Sequence, residues 1–96
     1  MIKATEAAQN VINFTAARYS KVKEVVLAVA EEMSASIEFH SKNGINTIDF
    51  MPYTTSRFPS DYEMNLASDM FETLFEDNGY TVLQNDISLN SLKIKW

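Results

Sequence analysis

A chain of 96 residues that is 46% hydrophobic and 11% aromatic can build one hydrophobic core, and chains of this length carry a single domain. Two glycines and two prolines are too few for a disordered or linker-rich chain. The absence of cysteine excludes disulfides and cysteine-ligated metals. We therefore expect one domain over residues 1–96.

The formal net charge is −5, and it is distributed unevenly. Residues 24–86 hold twelve acidic against two basic side chains, a balance of −10, while the remainder holds six basic against one acidic, a balance of +5. The acidic bulk argues against direct nucleic-acid binding and would suit a basic protein partner. No apolar run reaches the roughly 18 residues of a membrane span, so we expect a cytoplasmic protein or one assembled into a larger particle.

The first predicted element is helical. Apolar side chains recur every three or four residues from Ala8 to Ile37, with Thr15 as the one polar member, which is the helical period, and Gly44 stands where a left-handed residue ends a helix. The pattern allows one helix or two in tandem, and the weaker helix formers of FTAARYS favour a helix over about 5–17 followed by one over about 20–43. At about 1.5 Å per residue the stripe is about 45 Å long, more than a small domain can cover, so we expect a homo-oligomer.

The middle of the chain predicts a strand, a loop and a second helix. INTIDF, residues 45–50, alternates between apolar and polar side chains and is rich in β-branched residues, as strands are. The irregular stretch MPYTTSRFPS, residues 51–60, follows it. SDYE then forms a capping box, in which Ser60 caps a helix and Glu63 reaches back, and the helical period continues to Asn78.

The last part of the chain predicts two strands. Gly79 ends the second helix, residues 80–84 form a strand, and Leu92, Ile94 and Trp96 alternate with lysines. We therefore expect an α+β fold, with a helical region over residues 1–44 and a β-α-β-β unit over residues 45–96. Because a helix joins the first two strands, we expect them to run parallel in a three-stranded mixed sheet covered by helices on one face.

The loop 51–60 holds the first group of candidate contact residues. Tyr53, Arg57 and Phe58 belong to the residue types that dominate interface hot spots, and loops carry function more often than other segments. We expect these three side chains to face solvent and to contact a partner. The alternative is that the two aromatic residues pack against the helix start and the sheet edge.

Basic residues of the helical region form a second candidate group. Arg18, Lys21 and Lys23, together with Arg57, could supply cationic contacts to a small nucleotide, with Tyr53 or Phe58 stacking on its base. No phosphate-binding glycine loop, serine-hydrolase motif or zinc-protease motif occurs, and the chain has a single histidine. We therefore expect a non-enzymatic protein without a cofactor or a metal, and an enzyme is the least favoured class.

Three short motifs carry a resemblance to known proteins. The Thr/Ala-rich opening Thr5–Ala8, the helix-to-strand step Asn78–Val82 and the Ile-x-Trp segment Ile94–Trp96 resemble a loose set of short bacteriophage proteins. The resemblance implies phage origin and hence the host cytosol or a virion as its location. The expected function is association with protein, as a minor virion or assembly component or as an inhibitor of a host system. The alternative is an oligomer that sequesters a small nucleotide in an anti-defence role.

Overall fold

Two helices and a three-stranded antiparallel sheet make up the fold. A computed structural model describes all residues 1–96. The elements, in chain order, are α1 (Ala4–Lys42), β1 (Thr47–Phe50), α2 (Asp61–Asp77), β2 (Thr81–Asp86) and β3 (Ser91–Lys95). The predicted α+β class is confirmed. Neither helix contains a stretch long and apolar enough to cross a membrane.

The helical region is one unbroken helix, so the predicted break between residues 17 and 20 is wrong. No glycine or proline occurs between residues 4 and 42, and the weaker helix formers there keep their backbone hydrogen bonds. The helix ends as predicted, because Gly44 has φ +79 and its N–H donates to the Ser41 carbonyl at 3.2 Å. The Ile45 N–H donates to the His40 carbonyl at 3.0 Å and completes a Schellman motif.

The sheet has the order β1-β3-β2, and every neighbouring pair is antiparallel. The predicted mixed sheet is therefore wrong. β1 and β2 do run in the same direction, but β3 lies between them because it pairs with both. A four-residue turn joins β2 to β3, and a connection this short permits only antiparallel pairing. Leu83 is the extra residue of a bulge in β2, where Val82 faces Ile94 and Gln84 faces Lys93.

The core lies between the two helices and one face of the sheet. α1 contributes one stripe of apolar side chains with the three- or four-residue spacing seen in the sequence. α2 contributes Phe71 and Phe75. Leu92 and Ile94 of β3 are fully buried beneath them. The buried residues of α1 all lie between residues 22 and 37: Val22, Val26, Val29, Met33 and Ile37.

Both ends of α2 follow the sequence pattern, with one difference. Ser60 is the N-cap residue, yet its side chain makes no capping hydrogen bond, because a side chain from α1 binds it instead. At the other end Gly79 has φ +87, and the Tyr80 ring packs edge-on against Phe75 at 5.5 Å. The Tyr80 ring also meets the Trp96 ring edge-on, with the two ring centroids 6.3 Å apart. The tryptophan is therefore partly buried against the core.

Phe71 is the side chain through which α2 contacts the two aromatic residues of the loop 51–60. It is fully buried, so Phe71→Ala leaves a cavity and should lower the free energy of unfolding by roughly 3–5 kcal/mol, as measured by urea denaturation. Leu89→Ala is the control, because Leu89 is 65% exposed and its loss should change stability by less than about 0.5 kcal/mol. A loss below about 1 kcal/mol for Phe71→Ala would contradict this account of the core.

Candidate functional site

The loop 51–60 packs against the core through its two aromatic side chains. Phe58 is fully buried and Tyr53 is 5% exposed, so the prediction that both face solvent is wrong. Both rings meet Phe71 edge-on, at centroid distances of 6.3 Å for Phe58 and 6.1 Å for Tyr53. Burial of two aromatic side chains stabilises the fold more than exposure would, and α2 offers the apolar surface that covers them.

Tyr53 ties the loop to the β2–β3 hairpin. Its backbone N–H donates to Asn90 Oδ1 at 2.7 Å, and its hydroxyl donates to Asn85 Oδ1. The Asn85 amide in turn donates to the Ser68 carbonyl at 3.0 Å, which links the hairpin to α2. Burial raises the pKa of Tyr53 to about 12, and the nearby carboxylates of Glu72 and Asp69 act in the same direction.

Three of the four basic candidates, Arg18, Lys21 and Arg57, meet in a groove beside the first half of α1. This groove, which we call the basic groove, has a volume of about 670 Å³. α1 contributes Phe14, Arg18 and Lys21 to its lining, and the loop contributes Ser56, Arg57 and Pro59. Sequence reasoning named Arg18, Lys21 and Arg57 but missed Phe14 and Ser56, since only the packing of the loop against α1 brings them together.

Lys23 does not belong to the basic groove. Two residues along a helix correspond to a rotation of about 200°, so Lys23 points away from the side that carries Lys21. It lines a different groove, which lies between α1 and α2. The six candidate residues therefore divide into two buried side chains, three groove cations and one cation on the opposite side.

An ion pair occupies the inner end of the basic groove. Arg18 Nε donates to Glu63 Oε1, its Nη2 donates to Ser60 Oγ at 3.2 Å, and its guanidinium lies 4.0 Å from the Tyr62 ring centroid. The Arg18 guanidinium lowers the pKa of Glu63 below its usual value of 4.5, and the carboxylate raises the pKa of Arg18. The charge of Arg18 is therefore already paired with a carboxylate of α2.

Lys21 and Arg57 carry the available positive charge of the basic groove. Lys21 is exposed and forms no salt bridge. Arg57 Nη2 lies 4.0 Å from Glu32 Oε2, and Arg57 Nη1 donates a long hydrogen bond of 3.4 Å to the Met51 carbonyl. Both contacts are weak. A small anion would thus meet one free ammonium and one loosely held guanidinium.

The first half of α1 is a second candidate surface. Residues 4–17, which we call the N-terminal arm, are all exposed and touch neither α2 nor the sheet closely enough to be buried. The molecule measures 64 × 24 × 19 Å, and α1 at about 1.5 Å per residue accounts for most of the long dimension. Val11, Ile12 and Phe14 on the arm are 66%, 59% and 67% exposed.

The structure contains no cluster that would bind a metal ion: no three or more histidine, aspartate and glutamate side chains lie together. His40 packs at the end of α1, where its Nδ1 lies 2.7 Å from the Ser36 carbonyl. Comparisons with protein-family models, curated proteins and solved structures give no match. The interpretation of function therefore depends on the two surfaces alone.

The raised pKa of Tyr53 predicts a loss of stability at high pH. The fold favours the neutral phenol, so this contribution is complete below pH 10, the usual tyrosine pKa, and disappears as pH rises towards 12. Wild type should lose stability over this window, and Tyr53→Phe should lack that part of the loss. The difference in tyrosinate absorbance between the two proteins should have its midpoint near 12, and a midpoint near 10 would contradict the burial of the hydroxyl.

Proposed function

We propose that this protein is a non-enzymatic, phage-type protein that acts by association, and that its N-terminal arm is the surface that binds. Its role would be that of a minor virion or assembly component, or of an inhibitor of a host system. The observation that carries the proposal is the exposure of every residue of the arm, although the arm has an apolar face. Exposed apolar surface of this extent is typical of interaction sites.

The arm has the pattern of a helix that is buried on one side. Val11 and Ala8 lie on the same angular sector as the core residue Val22, while Glu6 and Asn13 lie on the opposite sector. An amphipathic segment of about 14 residues gains little stability from helix propensity alone, and most helical stability comes from tertiary packing. A partner on the apolar side would supply the packing that the rest of this chain does not.

The charge pattern of the arm supports the same conclusion. Residues 7–17 contain no charged side chain, whereas 22% of the whole chain is charged. Protein interfaces are depleted of charged residues at their centres. Solvent-exposed helix surfaces, in contrast, favour charged side chains, so an uncharged run of this length is better explained by a binding partner than by solvation.

Ile12→Asp tests whether the arm binds. Native mass spectrometry of the protein purified from the cells that produce it should show an assembly heavier than the 10.9 kDa chain for wild type. Ile12→Asp should reduce that assembly at least tenfold, about 1.4 kcal/mol, because a carboxylate then replaces an apolar contact.

Asn13→Asp is the matched control, since it adds the same charge on the polar side of the arm. It should leave the assembly intact. Circular dichroism should show folded protein for both variants, because neither position is buried in the chain itself. A wild-type protein that is found only as a single chain would contradict the proposal.

The basic groove favours a second candidate function, the sequestration of a small nucleotide. Lys21 and Arg57 would bind phosphate, and the 67% exposed Phe14 ring at the rim would stack on a base. The groove volume of about 670 Å³ lies within the range of small-molecule sites. This candidate ranks second because Arg18, the most central cation, is already paired with Glu63.

Titration calorimetry with ADP and with inorganic phosphate tests this second candidate. Arg57→Ala should weaken ADP binding at least tenfold, because it removes a planar donor to phosphate. Lys23→Ala is the control and should leave the affinity unchanged, since Lys23 lies outside the groove. Equal losses in both variants would mean that the protein attracts nucleotides only through its general charge.

A further inference from the structure

We infer that the partner of the N-terminal arm is a second copy of this chain, and that the arm of each copy lies in the groove between α1 and α2 of the other. This inference rests on the proposed function, because it identifies the partner that the arm binds. The surface in question, which we call the helix groove, is separate from the basic groove. α1 lines it with Tyr19, Val26 and Leu27, and α2 lines it with Leu66, Met70 and Leu74.

The helix groove is mainly apolar, with six hydrophobic lining residues beside Lys23, Asp69, Thr73 and Asp77. Its volume is about 530 Å³, and Tyr19 and Leu27 on its α1 side are 47% and 50% exposed. α2 runs alongside α1 in the same direction, since Glu63 near its start pairs with Arg18 while Leu74 near its end adjoins Leu27. Two helices in this arrangement leave a furrow into which the side chains of a third helix can pack.

The arm is longer than the groove, so its outer part, residues 4–11, can fill the groove of the partner while the remainder lies near the two-fold axis. The arm has fourteen residues, or about 21 Å, and the stretch of α1 from Tyr19 to Leu27 is about 12 Å long. If a two-fold axis passes near Thr15, Val11 of one copy lies opposite Tyr19 of the other, and Ala4 lies opposite Val26. Each arm then covers the groove of its partner, and the two domains remain at opposite ends.

Charge selects this antiparallel arrangement over a parallel one. The segment Arg18–Lys23 carries three positive charges. A parallel pair would place these charges beside the same charges of the second copy, which is unfavourable. In the antiparallel pair the segment instead lies opposite residues 7–12 of the partner, which carry no charge.

The far end of the arm also meets a complementary charge. Asp69 and Asp77 line the α2 side of the helix groove. In the antiparallel register Lys3 of one copy lies opposite Leu27 of the other, and Leu27 lines the same groove as these two carboxylates. A cation that enters this end of the groove is thus attracted by the acidic side of α2.

Reciprocal exchange also closes the assembly. Both arms and both grooves are filled in a two-fold dimer, so neither surface is left to recruit further copies. About half of the arm's fourteen residues face the groove, and the groove adds ten lining residues. The sum approaches the roughly 20 residues per side of a stable interface, which an arm-to-arm contact alone would not reach.

Introduced cysteines test the antiparallel register directly, because the chain has no cysteine of its own. Thr15 lies at the proposed axis, so Thr15→Cys should form a covalent dimer on mild oxidation. Ala8→Cys should not, because the two copies of residue 8 would be about 21 Å apart. Both positions are exposed in the single chain, so neither change disturbs the fold. Efficient cross-linking of Ala8→Cys would indicate parallel pairing and would overturn the inference.

Light scattering on the purified protein tests the groove. Wild type and Asn13→Asp should have twice the chain mass of 10.9 kDa at micromolar concentration. Leu27→Glu, which changes the groove and not the arm, should have the mass of one chain with an unchanged circular dichroism spectrum. A dimeric Leu27→Glu protein would show that the arms pair without the groove, which would overturn the inference.

The two proposals fail in different ways. A purified wild-type protein that stays monomeric, while protein taken from cells shows an arm-dependent complex with another chain, would overturn this inference and leave the proposed association intact. A monomer in both experiments would overturn both.

Discussion

The unbroken helix α1 is the constraint on which the rest of the structure depends. Residues 22–37 supply five of the core residues, and residues 4–17 continue in the same register with nothing to bury them. Because an α-helix is stiff over this length, the direction of the arm is determined by the packing of residues 22–37 against α2 and the sheet. The fold thereby presents an apolar helix at a defined angle without any contact at its tip.

The ion pair between Arg18 and Glu63 stands at the point where the arm leaves the domain. It joins α1 to the first turn of α2, and Arg18 also occupies the Ser60 hydroxyl that would otherwise cap that turn. The pair is only partly exposed, with Glu63 at 13%, so it is screened less than a surface pair. It also determines which cations remain free in the basic groove, since Lys21 and Arg57 lack a comparable partner.

The loop 51–60 has the composition of a binding site, but its aromatic side chains belong to the core. An arginine between aromatic residues suits an interface, but the same aromatic rings suit a core when a neighbouring element offers an apolar surface. Phe71 of α2 offers that surface to Tyr53 and Phe58, and the hairpin supplies polar partners for the tyrosine. Only Arg57 remains at the surface, because its guanidinium cannot be buried without a strong partner.

The sequence by itself determined which segments form helices and strands and where each helix ends at its C-terminal side. The spacing of apolar residues predicted helices and strands, and Gly44 and Gly79 marked the helix ends, because backbone hydrogen bonds and left-handed residues depend on neighbours only a few positions away. Tertiary structure decided the strand order and the burial of Tyr53 and Phe58. These outcomes depend on contacts such as Tyr53 with Asn90, thirty-seven residues apart, and no local pattern specifies which distant surfaces will meet.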